Sequence, residues 1–333
     1  MPKTKRALNP NNGIGFYHVI NRTVGCDFLF QEEEKVEFTR LLRKAAVYCG
    51  IEIVTHVVMS NHYHVLIEVP PRRELSEPEI LARVQAQVSA ERYTAICREL
   101  AQLRMMGGEV GERAAAKRLA EITKRMYTLS GFMHTLNQSM SEWYNRKHQR
   151  IGPLWAGRFK SLIVEGCGHA LLAVAAYIDL NPVRAGIVKD PKDYRWSGYG
   201  EAVAGKMPAR AGLTRLMVME GSAKNWGEAA PVYRRLIFAT GVETESRHGI
   251  SREQVAEALA KGGELTMFDL LHCKVRYLTD GVAIGSRAFL DEVFAGNRSL
   301  FGKRRSNGPR PMKGGAAWAG LMTLRALRRE PIT

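Results

Sequence analysis

The sequence predicts an α+β fold, an antiparallel sheet with helices on one side. Three observations predict it. Segments of strand and helix character follow one another in the order β-α-β-β-(insert)-α-β-α, which is neither the regular alternation of a parallel α/β sheet nor an all-helical pattern. The early stretch IEIVTHVVMSNHYHVLIEV (51–69) is rich in β-branched residues on both sides of a Ser60-Asn61 turn and reads as a hairpin. At 333 residues, the chain can also bury a large core, enough for two domains or one elaborated domain.

The elements can be taken in order. GFYHVINRTVG (15–25) reads as a strand, and EEEKVEFTRLLRKAAVYCG (32–50) as an amphipathic helix with acids in its first turn and Gly50 at its end. After the hairpin, PPRRELSEPE (70–79) breaks the pattern. Residues 71–128 are then rich in Ala, Arg, Glu and Met at helical spacing and split near GGEVGE, a helical insertion. SGFMHTLNQSMSEWYNRKHQR (130–150) is a further amphipathic helix, RFKSLIVEG (158–166) a strand, and HALLAVAAYIDLNPVRAG (169–186) a helix ended by Pro182. The first domain is placed at 1–204. Residues 205–333 form a mainly helical, basic C-terminal region. Within it GISREQVAEALAKG (249–262) carries a serine cap, and a flexible tail starts at about 296.

Lys and Arg outnumber Asp and Glu by 49 to 33, a formal charge of +16 that favours a polyanionic partner such as nucleic acid. Five scattered cysteines without a CxxC pair argue against a disulfide framework or a zinc ribbon and fit a reducing compartment. Nowhere do eighteen apolar residues run together, so no membrane span is expected.

In the hairpin, strand alternation turns His62 and His64 to one face while Tyr63, Val65, Ile67 and Val69 take the other. Two neutral imidazoles on one face can share a divalent ion, although satisfied or solvent-facing histidines give the same spacing. Tyr177 and Asn181 lie four apart on a helix and share a face, placing a hydroxyl beside an amide oxygen; a core-rim tyrosine and a helix terminator would look alike. Arg158 and Lys160 suit phosphate contacts, and Trp155 and Phe159 suit stacking on unpaired bases or core packing. Arg184 joins this DNA-binding group, as do Lys303, Arg304 and Arg305 in the acid-free tail. His18 and His56 lack paired spacing and are read as structural. Tyr144 and Tyr199 are competing hydroxyls without an Asn or Gln four residues on.

YHVINR, MSNHYHVLIE, GPLWAGRFKSLIVE and YIDLNPVRAGIV, in this order, resemble the single-tyrosine HUH transposases, most closely the REP-associated tyrosine transposase branch. The resemblance covers about 13–200 apart from the helical insertion, which compact members lack. It implies the HUH-type sheet, related to the ferredoxin-like βαββαβ pattern, with His62, His64 and Asn181 holding Mg²⁺ or Mn²⁺ and Tyr177 as nucleophile. The implied reaction cleaves and rejoins single-stranded or hairpin DNA through a covalent phosphotyrosine, in a cytoplasmic, nucleoid-associated protein that acts as a monomer or homodimer without a membrane partner. Two alternatives stay open: a domesticated nucleic-acid-binding protein without activity, and a nicking protein of the relaxase or replication-initiator kind.

Overall fold

The computed structural model describes residues 7–9, 13–238, 265–266, 271, 274–313 and 316–325. The chain opens with strand β1 (Gly15–Arg22), helix α1 (Glu32–Cys49) and the hairpin β2 (Glu52–Val58) and β3 (His62–Val69). Helices α2 (Glu77–Gln87), α3 (Ala90–Met105), α4 (Gly108–Thr123) and α5 (Leu129–Lys147) follow. Then come β4 (Lys160–Val164), α6 (His169–Asp179), α7 (Asn181–Arg184), α8 (Gly198–Val203), α9 (Met207–Met219) and α10 (Trp226–Phe238). The last part holds β5 (Leu265–Thr266), α11 (Arg276–Asp280), β6 (Ala283–Gly285), α12 (Arg287–Gly296), β7 (Arg310–Pro311), β8 (Ala316–Ala317) and β9 (Met322–Thr323).

The chain divides into two compact units, one of Met1–Gln31, Ile53–Glu68 and Trp155–Thr333, the other of Glu32–Glu52 and Val69–Leu154. The second unit is helical. Its α1 keeps Glu34 buried because Lys147 Nζ (2.7 Å) and His148 Nε2 (3.1 Å), at the end of α5, both meet that carboxylate. The insertion forms α2 to α4 around Ile80, Val84, Ile96, Leu100 and Ile122, and it breaks at Gly107, whose φ of +77° suits glycine.

The first unit carries a seven-stranded sheet in the order β2-β3-β1-β4-β6-β9-β7. On one face Phe16, Val54, Leu66, Leu162 and Val164 share a core with α6 and with residues of α8, α9 and α10. Helix α6 is apolar on all sides, and every residue from Ala170 to Asp179 is buried, as a helix without a polar face requires. Helix α9 lies directly on the β2 backbone: a Cβ at Gly212 would stand 2.4 Å from the Ile53 carbonyl oxygen and 2.5 Å from that of Val54. Backbone atoms of a sheet cannot move aside cheaply. Gly212→Ala is therefore expected to destabilise the chain by about 1–3 kcal/mol through overpacking. Urea unfolding followed by circular dichroism should give a lower midpoint with an unchanged slope.

Three features depart from the sequence reading. Pro182 ends α6 but does not end helical structure, because a proline in the first turn of α7 needs no amide partner. The C-terminal region is not only helical: β6 runs parallel to β4 (Ile163↔Ala283), and β7 and β9 extend the otherwise mainly antiparallel sheet. Glu165, just after β4, secures this junction by accepting from the Ser286 amide and hydroxyl at 2.7 Å each. The segment read as a flexible tail from about 296 thus holds sheet strands among its described residues. The helix read at 249–262 lies outside the described residues.

Candidate active site

The turn before β3 is fastened to the loop after β1. Thr23 N donates to Asn61 O (3.0 Å), Phe30 N to Ser60 O (2.9 Å), and Asn61 Nδ2 to Cys26 O (3.0 Å). That last bond turns Asn61 Oδ1 toward His62 Nδ1, 2.6 Å away. An amide oxygen only accepts, so His62 carries its hydrogen on Nδ1 and leaves a lone pair on Nε2. Burial, with Arg22, Lys274 and Arg184 nearby, pushes the His62 pKa down to about 4, and a hydrogen bond with the Asn181 side chain opposes the shift.

His64 reaches the same state by another route. On neighbouring β1, the fully buried His18 donates from Nδ1 to the Leu278 carbonyl (2.9 Å), and its Nε2 lies 2.9 Å from His64 Nδ1. Burial pushes the His18 pKa down to about 3, so the ring is neutral and its Nε2 accepts. His64 must then donate from Nδ1, leaving its own Nε2 with a lone pair. Burial also holds the His64 pKa well below the ordinary range, reinforced by the neighbouring His18 and His62. His18, read from the sequence as structural, thus contacts the cleft residue His64 directly without lining the cleft itself. Its spacing along β1 gave no sign of this, because the pairing partner is 46 residues away.

Tyr177 stands edge-on to both rings, with centroids 6.1 Å from His64 and 6.4 Å from His18. Burial raises its pKa, and Arg184 partly offsets the rise. The Arg184 guanidinium lies 3.9 Å from the Tyr177 ring centroid and donates to the carbonyls of Tyr177 (2.6 Å) and Leu271 (2.7 Å). It braces the tyrosine as well as facing the cleft, a role that the sequence did not signal.

His62, His64, Tyr177, Asn181 and Arg184 line one cleft of about 1250 Å³. Arg22, Arg158, Lys160, Lys274, Arg276 and Arg325 line it too, and among the described residues Asp280 is its single carboxylate. The electrostatics suit an anionic chain. Asp280 is matched by Lys160 at 2.6 Å and Arg276 at 3.6 Å, so its charge is already compensated.

The other candidates lie elsewhere. Trp155 packs edge-on against the buried Phe30 and Tyr63 rings and bridges to Thr23, so it serves the core. Phe159 is half-buried and does not line the cleft. Lys303 and Arg304 are exposed, whereas Arg305 is spent on the carbonyls of Asn307, Gly308 and Leu324; none of the three lines the cleft. Tyr144 is buried and lies 4.2 Å from the His148 ring, and Tyr199 accepts from Arg234 at 3.3 Å; neither lines the cleft. No helix among the described residues is long and apolar enough to cross a membrane.

Residues 15–108 match the family described as "Transposase IS200 like", and over this span the chain is similar to those proteins. The matched span holds His18 and the histidine pair; Tyr177 and Asn181 lie beyond it. No curated protein matches the chain. Among solved structures, a REP-associated tyrosine transposase bound to a REP hairpin aligns at 17% identity and a TM-score of 0.32, covering 62% of this chain and 87% of that one.

Proposed function

We propose, from the IS200-like transposase similarity of residues 15–108, that this protein is a single-tyrosine DNA strand transferase acting on single-stranded or hairpin DNA. One observation carries the reading: a tyrosine, two histidines with outward lone pairs and an amide line the same cation-walled cleft. Among the described residues no three His, Cys, Asp or Glu side chains gather as a metal cage, so the third protein donor would be the Asn181 amide. Two neutral imidazoles and an amide fit a divalent cation, Mg²⁺ or Mn²⁺, and leave positions for water and phosphate. Such a cation, when bound, polarises a phosphoryl oxygen.

The rest follows from the chain's own groups. Arg22, Arg158, Lys160 and Lys274 draw the phosphate backbone into the cleft, an attraction that weakens steeply with salt. The Tyr177 oxygen forms a bond to phosphorus as the bond to the leaving strand breaks; the phenolic proton, relayed through water, ends on the leaving oxygen, so that strand departs as a hydroxyl. One phosphodiester is exchanged for another, so a second strand end can reverse the step. The Arg184 guanidinium over the Tyr177 ring favours the phenolate as it develops, against the burial that disfavours it.

Labelled hairpins from DNA flanking the gene, incubated with Mn²⁺ or EDTA, test this directly. Wild type is expected to give a Mn²⁺-dependent covalent adduct, and Tyr177→Phe none while retaining hairpin binding within about threefold, since the phenylalanine keeps the packing. Adducts persisting in Tyr177→Phe would assign another nucleophile. Hairpin binding without any adduct in wild type would favour a binding protein.

A further inference from the structure

The His18 ring is buried at 0% exposure between two partners, the Leu278 carbonyl in α11 and His64 Nδ1 in β3, each at 2.9 Å. The three groups form a directed chain. A carbonyl only accepts, so it fixes the His18 hydrogen on Nδ1; His18 Nε2 is then an acceptor, and it fixes the His64 hydrogen on Nδ1. Reversing either ring would set lone pair against lone pair or leave a buried N–H without an acceptor, at a cost of about 1–3 kcal/mol.

We propose that His18 is a positioning residue that hands the His64 Nε2 lone pair to the cleft, with Leu278 in the C-terminal region setting the direction of the chain. This rests on the metal-assisted reading above for its consequence but not for its geometry. His62 obtains the same orientation from Asn61, within its own turn. The two ligand candidates are therefore oriented independently: one by a local amide, the other by a carbonyl 260 residues from His18 in sequence. A ring held by a partner on its far nitrogen keeps one tautomer and one tilt, and losing such a partner typically lowers metal affinity by about 10–100-fold.

The test uses full-length protein labelled with ¹⁵N-histidine, with His64 assigned by the signal lost in His64→Ala. Long-range ¹H–¹⁵N correlation in metal-free wild type is expected to show the Nδ1–H tautomer for His64 and for His18. Mn²⁺ binding, followed by electron paramagnetic resonance of the free ion, is expected to weaken by about 10–100-fold in His18→Phe, with the His64 pattern shifting toward Nε2–H. His18→Gln, whose amide oxygen stands near the place of Nε2, should restore the Nδ1–H pattern and most of the affinity. An Nε2–H tautomer at His64 in wild type overturns the proposal without any variant, as does a folded His18→Phe that leaves both tautomer and affinity unchanged. If wild type shows the expected tautomers but binds no Mn²⁺, the relay stands and the metal-assisted reading falls.

Discussion

His64→Ala is expected to lower the rate of Mn²⁺-supported hairpin cleavage by about 10³-fold. The deletion removes one of two imidazole lone pairs from the cleft, and a positioned divalent ion is worth several kcal/mol of charge stabilisation in phosphoryl transfer. At 1.36 kcal/mol for each factor of ten, about 4 kcal/mol gives the stated loss. The pattern should differ from that of Tyr177→Phe, which is expected to abolish adducts at every Mn²⁺ concentration, because His64→Ala should recover part of its rate as Mn²⁺ is raised. Cleavage time courses over a Mn²⁺ series make the comparison, with thermal melting as the check on folding. A His64→Ala protein that cuts at the wild-type rate would remove the histidine pair from the chemistry.

Asp179→Asn is expected to stabilise the protein above neutral pH. Asp179 is fully buried, two residues from the cleft-lining Tyr177, and Thr55 Oγ1 (2.8 Å), the Tyr199 amide (3.3 Å) and Tyr233 Oη (2.6 Å) all donate to it. Burial nevertheless outweighs these bonds and pushes its pKa up from 3.8 to about 7. The folded state therefore holds this proton where the unfolded chain has lost it. Between about pH 4 and 7, stability must fall as pH rises, by at most about 1.4 kcal/mol per unit from this group. Asparagine keeps an oxygen for Thr55 and the Tyr199 amide, and its Nδ2 can donate to Tyr233 once that hydroxyl turns. Urea titrations at pH 4.5 and 8 should show the variant gaining on wild type by a few kcal/mol between the two. Parallel pH profiles would assign the ionisation elsewhere.

The strands of the first 200 residues were legible because their alternation is local: 15–22, 52–69 and 160–164 each show their pattern within a few residues. The same holds for His62 with His64, two apart on one strand, and for Tyr177 with Asn181, four apart across the junction of α6 and α7. What stayed hidden depends on pairing across long stretches of chain. Strands β6, β7 and β9 are two or three residues long and carry no alternation to read. His18 gains its meaning only when β1 lies beside β3, and Lys274, Arg276 and Arg325 only when the C-terminal strands bring them to the cleft. Trp155, which the sequence left open between base stacking and core packing, lies edge-on against Phe30 and Tyr63, and those contacts join residues far apart in the chain.

The parallel pairing of β4 with β6 also bears on when the protein becomes competent during its synthesis. Ile163 waits for Ala283, 120 residues later, and the cleft also waits for Lys274, Arg276 and Asp280 just before that strand and for Arg325 beyond it. Domains fold largely as their chain emerges from the ribosome, and contacts across long separations close late. A nascent chain displaying the histidine hairpin and the tyrosine helix would still lack the Leu278 carbonyl and three of the cleft's cations. The histidine hairpin and the tyrosine helix are thus made first, and the cleft that they line is completed last, once translation has passed the distal segment.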